Sequence, residues 1–437
     1  ARISLKLLPI FSGQLVIDRV KFDGVTANLK RYQNGTTNFD DLLVKEDDEP
    51  RQIKFDIAGA SVTNSNIFFA DQMSGRNFAV TEVNLTTGKV VSGKPSQFDL
   101  KAELKSDALA AQIAVKSGFT LDLEQKHYLL SDFKGEIKGQ WRNFSDLVAH
   151  LEGDVDLKPN VSQITLQDVK LISTGKRGGQ TLEVKLDAPK LAINDKQMSG
   201  GKLSGQLALA EGGRTIVVSL AAPAFEGTRQ AFTVPDLGVD VTIKQAKFDA
   251  KAKLTGTIHG DIDNLLFSSP QLALNLNGKR AATSFKATLT TPFAANMKTE
   301  MVELAKINAD FSLPNPAGGT LAFNAAGNAN IDLAQQRLAA VLNGKLDQST
   351  INARLGLAKF SPPAYTFDVT IDQIDLDRYT KPSTAARSNK AGAPEERIDL
   401  SALQDLNASG RLKIGSLKTA GVKASNVRLD VGAGGAR

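Results

Sequence analysis

The stretch "AKFDAKAKLTGTIH" (246–259) decides how the rest of the chain is read. Its even positions are Ala246, Phe248, Ala250, Ala252, Leu254, Gly256 and Ile258; its odd positions are Lys247, Asp249, Lys251, Lys253, Thr255, Thr257 and His259. Successive side chains of a strand point to opposite faces, so this spacing makes one apolar and one wet face, whereas a helix would mix the two sets. The stretch is a β-strand.

The same alternation spreads outward in both directions. Leu182, Val184 and Leu186 lead through Ala188–Pro189 to Leu191 and Ile193, and Leu203, Leu207 and Leu209 run through Glu211–Gly212–Gly213 to Ile216, Val218 and Leu220. Leu272, Leu274 and Leu276 are followed by Asn277–Gly278 and then Phe285, Ala287 and Leu289; Val341 is followed by Asn343–Gly344 and Leu346. Near the start, Asp23–Gly24 lies between Val20/Phe22 and Val25/Ala27/Leu29. These dipeptides predict turns, Asp23–Gly24 a two-residue hairpin, and the whole an antiparallel meander with one polar face. At roughly 13–15 residues per strand and turn, about thirty strands fit. Helical spacing is rare: Phe39, Leu42 and Leu43 make one turn, 140–153 and 291–307 read as strand or helix, and Leu400, Leu403 and Leu406 sit three apart. The segment 380–397, rich in Pro, Ala, Ser and charge, predicts a linker.

Composition closes off several chemistries. The 437 residues include no cysteine, so disulfides and thiolate metal sites are excluded. The three histidines, His127, His150 and His259, lack metal-ligand spacing. Each Gly–Lys dipeptide lacks the following Ser or Thr of a phosphate loop, and no G-x-S-x-G elbow occurs. Asp40–Asp41 is an adjacent pair near a helix start, explained by the helix dipole; Asp372, Asp375 and Asp377 lack the glycine and closing glutamate of an EF-hand loop. The expectation is a protein without catalytic residue, metal or cofactor. A net charge of +6, with lysines set singly along strands, predicts a solvated face with affinity for anionic surfaces rather than nucleic acid. No apolar run is long enough to span a membrane. A one-sided apolar sheet must be covered, by a second sheet, by folding over on itself, or by a ligand.

Three stretches carry a family resemblance. "LLPIFSGQLVIDRVKFDGVTANLKRYQNGTTNFDDLL" (7–43) resembles the N-terminal signature of the AsmA family of bacterial envelope proteins, with Gly35, Asn38, Phe39, Asp40 and Leu42 matching its last part. "STINARLGLAKFSPPAYTFDVTIDQIDLDRYT" (349–380) is similar to the segment ending in L-D-R-Y, and 398–431 to the stretch that opens the family's C-terminal region. The resemblance implies a mainly β fold: a long antiparallel sheet curved into an open trough with a few short helices. It divides the chain into a signature segment at 1–44, a β-groove at 45–379, the linker at 380–397 and the start of a C-terminal β region at 398–437. It also implies kinship with bridge-like lipid-transfer proteins, which carry phospholipid acyl chains between membranes. The chain is then expected to be part of a periplasmic protein anchored in the inner membrane by a segment outside it. Phe248, Leu254, Ile258, Leu272, Leu274, Leu276 and Phe323 are the expected lipid-binding lining, and Asn38, Phe39, Leu42 and Leu43 an N-terminal plug capped by Asn38. Phospholipids, the membrane and other envelope proteins are the expected partners. The rival expectation is an assembly factor for outer-membrane proteins whose sheet is closed and dry.

Overall fold

A computed structural model describes residues 2–5, 15–40, 55–281, 283–315, 317–360, 363–379 and 407–432. The chain divides into two compact units, Ala1–Thr228 and Arg229–Arg437. Both are almost entirely strand, and the sheet does not close into a barrel, the open architecture that a trough requires. Helix among the described residues is limited to short 3-10 turns such as Pro159–Val161 and Leu376–Arg378.

Unit 1 holds β1 (Arg2–Leu5), β2 (Leu15–Asp23), β3 (Thr26–Arg31), β4 (Phe55–Ile57), β5 (Ala60–Asp71), β6 (Arg76–Thr87), β7 (Val90–Val91) and β8 (Pro95–Ser106). It continues with β9 (Leu109–Asp122), β10 (His127–Trp141), β11 (Phe144–Lys158), β12 (Gln163–Arg177), β13 (Gln180–Ile193), β14 (Met198–Glu211) and β15 (Arg214–Gly227). From β8 onward each strand pairs antiparallel with the next, as the meander predicts. Unit 2 holds β16 (Phe232–Gln245), β17 (Phe248–Asp261), β18 (Leu266–Arg280), β19 (Thr283–Asn296), β20 (Met301–Pro314) and β21 (Thr320–Asp332). It ends with β22 (Arg337–Leu346), β23 (Ser349–Phe360), β24 (Pro363–Asp375), β25 (Ala408–Thr419) and β26 (Val422–Val431). Its strands follow the same meander except that β24 and β25 are parallel. The connection between those two is long enough to carry the chain back to the starting end, which a parallel pair needs.

The hairpin expected at Asp23–Gly24 is absent. β2 and β3 run on in one direction, parallel to β4 and β5, and every residue faces the one forty positions later: Leu15 faces Phe55, Asp23 faces Thr63 and Arg31 faces Asp71. Gly24 and Asn64, also forty apart, both take left-handed backbone (φ 64° and 47°), so the two strands kink together. Ser65 fills the kink by accepting a hydrogen bond from the Val25 N–H (3.2 Å) and donating to the Thr63 carbonyl (3.0 Å).

That kink begins a crease that crosses strand after strand. In unit 1 it passes through left-handed Glu82, Asp132, Asp168 and Lys202; unit 2 has a crease of its own through Asp236 and Lys306, with register shifts between Gly256 and His259, Ser269 and Leu272, and Thr290 and Phe293. Bulges bend a strand and strengthen its twist. Prolines 189, 223, 235, 270 and 292 all lie in these creases, where the ladder has no use for their missing N–H. Side chains stitch what the bulges free. Asp154 accepts from the Asp132 N–H (2.7 Å), Ser117 donates to the Gly118 and Ser131 carbonyls, and Thr291 donates to the Pro292 and Ala305 carbonyls (2.8 Å each).

Other expected turns are corrected in the same way. Ala188–Pro189 is a point in the crease of β13, not a turn between two strands. Asn277–Gly278 and Asn343–Gly344 lie inside β18 and β22. Their glycines make room for close neighbours: a Cβ on Gly278 would stand 2.1 Å from Phe285, and one on Gly344 2.4 Å from the Asn324 carbonyl and 2.7 Å from Phe323. The stretches 140–153 and 291–307 are strand-forming. Glu211–Gly212–Gly213 does form the turn between β14 and β15, with both glycines at positive φ. The linker at 380–397, the leucines at 400, 403 and 406, and Leu42 and Leu43 lie outside the described residues.

Candidate functional site

Strand register shows which side chains share a face, because residues paired across a ladder point the same way. In unit 2 one row runs Val239, Leu254, Leu274, Leu289, Ala309 and Ala325 on β16 to β21. It continues through Gly344, Ile351, Ile371, Ile414 and Val427 on β22 to β26. Every strand of the unit contributes, and no member is polar. The opposite face begins Asp240, Lys253, Asn275, Thr288, Asp310 and Asn324.

The seven expected lining residues all belong to the apolar face of unit 2. Leu254 and Leu274 are direct partners in the row; Leu276 pairs with Ala252, Leu272 with Gly256 and Ile258 with Val234. Phe248 stacks on Phe285 with centroids 6.3 Å apart, and Phe323 lies 5.7 Å from Phe311. All seven are half-buried. Aliphatic residues fill the middle of the face, and these phenylalanines stand toward the margin where β17, β19 and β21 begin and β20 ends. Polar atoms on the face occur at the crease, where Thr291 is satisfied by carbonyls and the buried Ser269 hydroxyl has no hydrogen-bond partner among the described residues.

The alternation in unit 1 builds an equivalent row that the seven did not include. Phe22, Val62, Leu85, Leu100, Val115 and Gly135 lead on to Leu151, Leu171, Leu186, Gly205 and Leu220. The same period-two signal could have found it. The crease could not have been found so easily, because a bulge shifts parity without any marked residue.

Among the described residues, nothing within either unit forms a second layer over these rows. Described strands pack on their ladder neighbours, and no large side chain is fully buried. Among the described residues one buried cluster consists of Ile307, Ala309 and Ala329, with Leu289, Leu304, Ala340 and Leu342 against them. A sandwich interior would bury its large side chains completely.

Asn38 faces β3. Its amide accepts from the Lys30 N–H (2.7 Å) and donates to the Asn28 carbonyl (2.9 Å), while its own N–H donates to the Lys30 carbonyl (3.0 Å). Asn38 thus acts as a strand partner for β3. Thr37 and Asp40 bond to each other: the Thr37 N–H donates to Asp40 Oδ2 (2.7 Å) and the Thr37 hydroxyl bonds the other carboxylate oxygen. The bonds from the Thr37 hydroxyl and N–H hold the Asp40 carboxyl below its ordinary pKa. Phe39 is half-buried beside them.

The remaining polar candidates have structural partners. Asp372 accepts from the Thr350 N–H (2.7 Å), Asp375 from Lys418 (2.8 Å), and Asp377 from the N–H groups of Ala420 and Gly421. Tyr379 donates to Asp347 (2.8 Å), so the L-D-R-Y segment ties turns of unit 2 together. His127 contacts Asp156 (2.8 Å) and His259 contacts Thr233 (3.0 Å). A depression of about 660 Å³ at the margin where β16 begins is lined by Thr233, His259, Glu303 and Asn330 together with Phe232, Phe267 and Val302. It lies apart from the aliphatic row. No group of acidic and histidine residues able to hold a metal occurs among the described residues, and none of their helices is long and apolar enough to cross a membrane. No family model, curated protein or solved structure matches the chain.

Proposed function

We propose that this protein is a non-enzymatic lipid carrier that holds phospholipid acyl chains against its apolar sheet face. The supporting observation is the uncovered aliphatic row on every strand of unit 2, repeated in unit 1. Each acyl methylene moved from water onto such a face gains about 0.8 kcal/mol. Because the row is uniform, no position holds a chain much more tightly than the next, and a chain can slide along it. Head groups need no dedicated polar site and stay in water at the open margin. The AsmA resemblance agrees with this reading and extends it to a periplasmic protein, anchored in the inner membrane by a segment outside the chain, that moves phospholipid between inner and outer membranes. The reading assigns no catalytic residue and no cofactor.

The test is lipid extraction and native mass spectrometry of the purified chain, with photocrosslinkers at Leu254 and Leu274. Phospholipid should co-purify and crosslink at both positions. Leu274→Asp should leave the protein folded and at least tenfold poorer in bound lipid, since an aspartate on an open face stays hydrated. Lipid-free protein, or global unfolding of Leu274→Asp, would overturn the proposal in favour of a dry assembly factor.

A further inference from the structure

The net charge is not shared between the units. Unit 1 has 28 lysines and arginines against 28 acidic residues; unit 2 has 25 against 19, so the whole +6 belongs to unit 2. The arrangement differs as well as the total. Several lysines on the polar face of unit 1 meet acids: Lys116 meets Asp99 (3.0 Å), Lys138 meets Glu136 (2.7 Å), Lys176 meets Asp146 (3.0 Å) and Lys185 meets Glu183 (2.6 Å).

On β16 to β19, Lys244, Lys251, Lys253, Lys279 and Lys286 share the polar face, and none is in an ion pair among the described residues. Register groups them. Lys251 and Lys286 flank Asn277 on the strand between, about 10 Å apart, and Lys253 follows Lys251 by two positions, about 7 Å. Lys247 in the β16–β17 turn and Arg280 at the end of β18 add charge at the same margin. All seven side chains are exposed. The acidic groups facing them are Asp240 and Asp249, with Asp310 on the next strand.

We infer that this basic margin of unit 2 docks on an anionic phospholipid bilayer surface. A bilayer headgroup plane is fluid and can place phosphates under lysines that follow only the sheet's spacing. Nucleic acid is disfavoured, because the lysine face of these strands carries no aromatic ring on which a base could stack. The aromatic residues of this margin, Phe248 and Phe285, are on the other face, beside the aliphatic row. The inference goes beyond the carrier reading and does not require it: it concerns headgroup charge, not acyl binding.

The test is flotation of the full chain with vesicles of phosphatidylglycerol mixed into phosphatidylcholine, compared with pure phosphatidylcholine and with a single-stranded DNA oligonucleotide. Binding should need phosphatidylglycerol and fall steeply as salt rises. The quadruple variant K251A/K253A/K279A/K286A should bind on the order of a hundredfold more weakly, since each lysine near an anionic surface adds to its attraction. K116A/K138A/K176A/K185A in unit 1 removes the same charge and should bind within about twofold of the parent. An equal loss in both variants, equal binding to pure phosphatidylcholine, or tighter binding to the oligonucleotide at the same salt overturns the inference. Co-purified lipid, measured on both variants, should be unchanged, so failure of docking is distinguishable from failure of acyl binding. Matching circular dichroism and melting midpoints exclude unfolding as the cause.

Discussion

The two units solve the same problem with different materials. Each carries an apolar row across its strands, yet unit 1 fills it with leucines that stand far out, Leu151, Leu186 and Leu220 being 41%, 48% and 41% exposed. Unit 2 uses alanine, isoleucine and glycine in the second half of its row, where Ala309, Ala325 and Gly344 are buried. The polar faces differ in the opposite sense, with paired ions in unit 1 and unpaired lysines at one margin of unit 2. Unit 1 also closes an edge: Asn38 and its neighbours bond to β3 where another strand would otherwise add, a standard hazard of open sheets. Alternation therefore specifies a face, while residue size decides how deep that face is.

The comparison can be broken most directly at its deepest point. Ile307→Ala, at 6% exposure in the small core of unit 2, should cost about 3 kcal/mol in thermal or urea unfolding. A loss below about 1 kcal/mol would show that unit 2 has no more core than unit 1. Next in size, Asn38→Ala removes two side-chain bonds to β3 and should cost about 1–2 kcal/mol, read as faster hydrogen exchange at Lys30 and in β5. Unchanged exchange would mean the stitch does not hold the edge. Leu186→Ala should cost less than about 1 kcal/mol, because its side chain is already half in water, and should show instead as weaker lipid retention.

The smallest effect is expected from mild acid. Burial works to raise the Asp71 carboxyl, but hydrogen bonds from Ser74, Arg31 and Met73 outweigh it and leave its pKa below the ordinary value. Arg428 and Arg411 lower Asp430 in unit 2 in the same direction. A depressed folded pKa contributes stability that is complete above the unfolded value and is lost as pH falls through the folded one. Melting midpoints should therefore stay flat from about pH 7 to about pH 5 and drop only below the ordinary carboxylate range. A decline already at pH 6 would show that these carboxylates do not set the acid limit.

Much of this was legible in the residues. Period-two spacing at 246–259 identified β17, its two faces and its neighbours, and the seven lining residues came out on one face because alternation is a local property of the backbone. The turn dipeptides were less dependable. Asn277–Gly278 and Asn343–Gly344 look like hairpin turns, but their glycines are used to seat Phe285 and Phe323, which are reached across the ladder and not along the chain. Asp23–Gly24 looked the same, and its partner in the kink, Asn64, is forty residues away.

By itself the sequence determined the strand content, the meander and the segregation of polar from apolar side chains, all consequences of steric alternation between neighbouring residues. Only the tertiary structure decided the parallel pairing of β2 and β3 with β4 and β5, the creases and the bonds between Thr37 and Asp40. It also decided which lysines meet an acid and which do not. These depend on which residue stands across a ladder, and register is fixed by the whole set of paired strands at once.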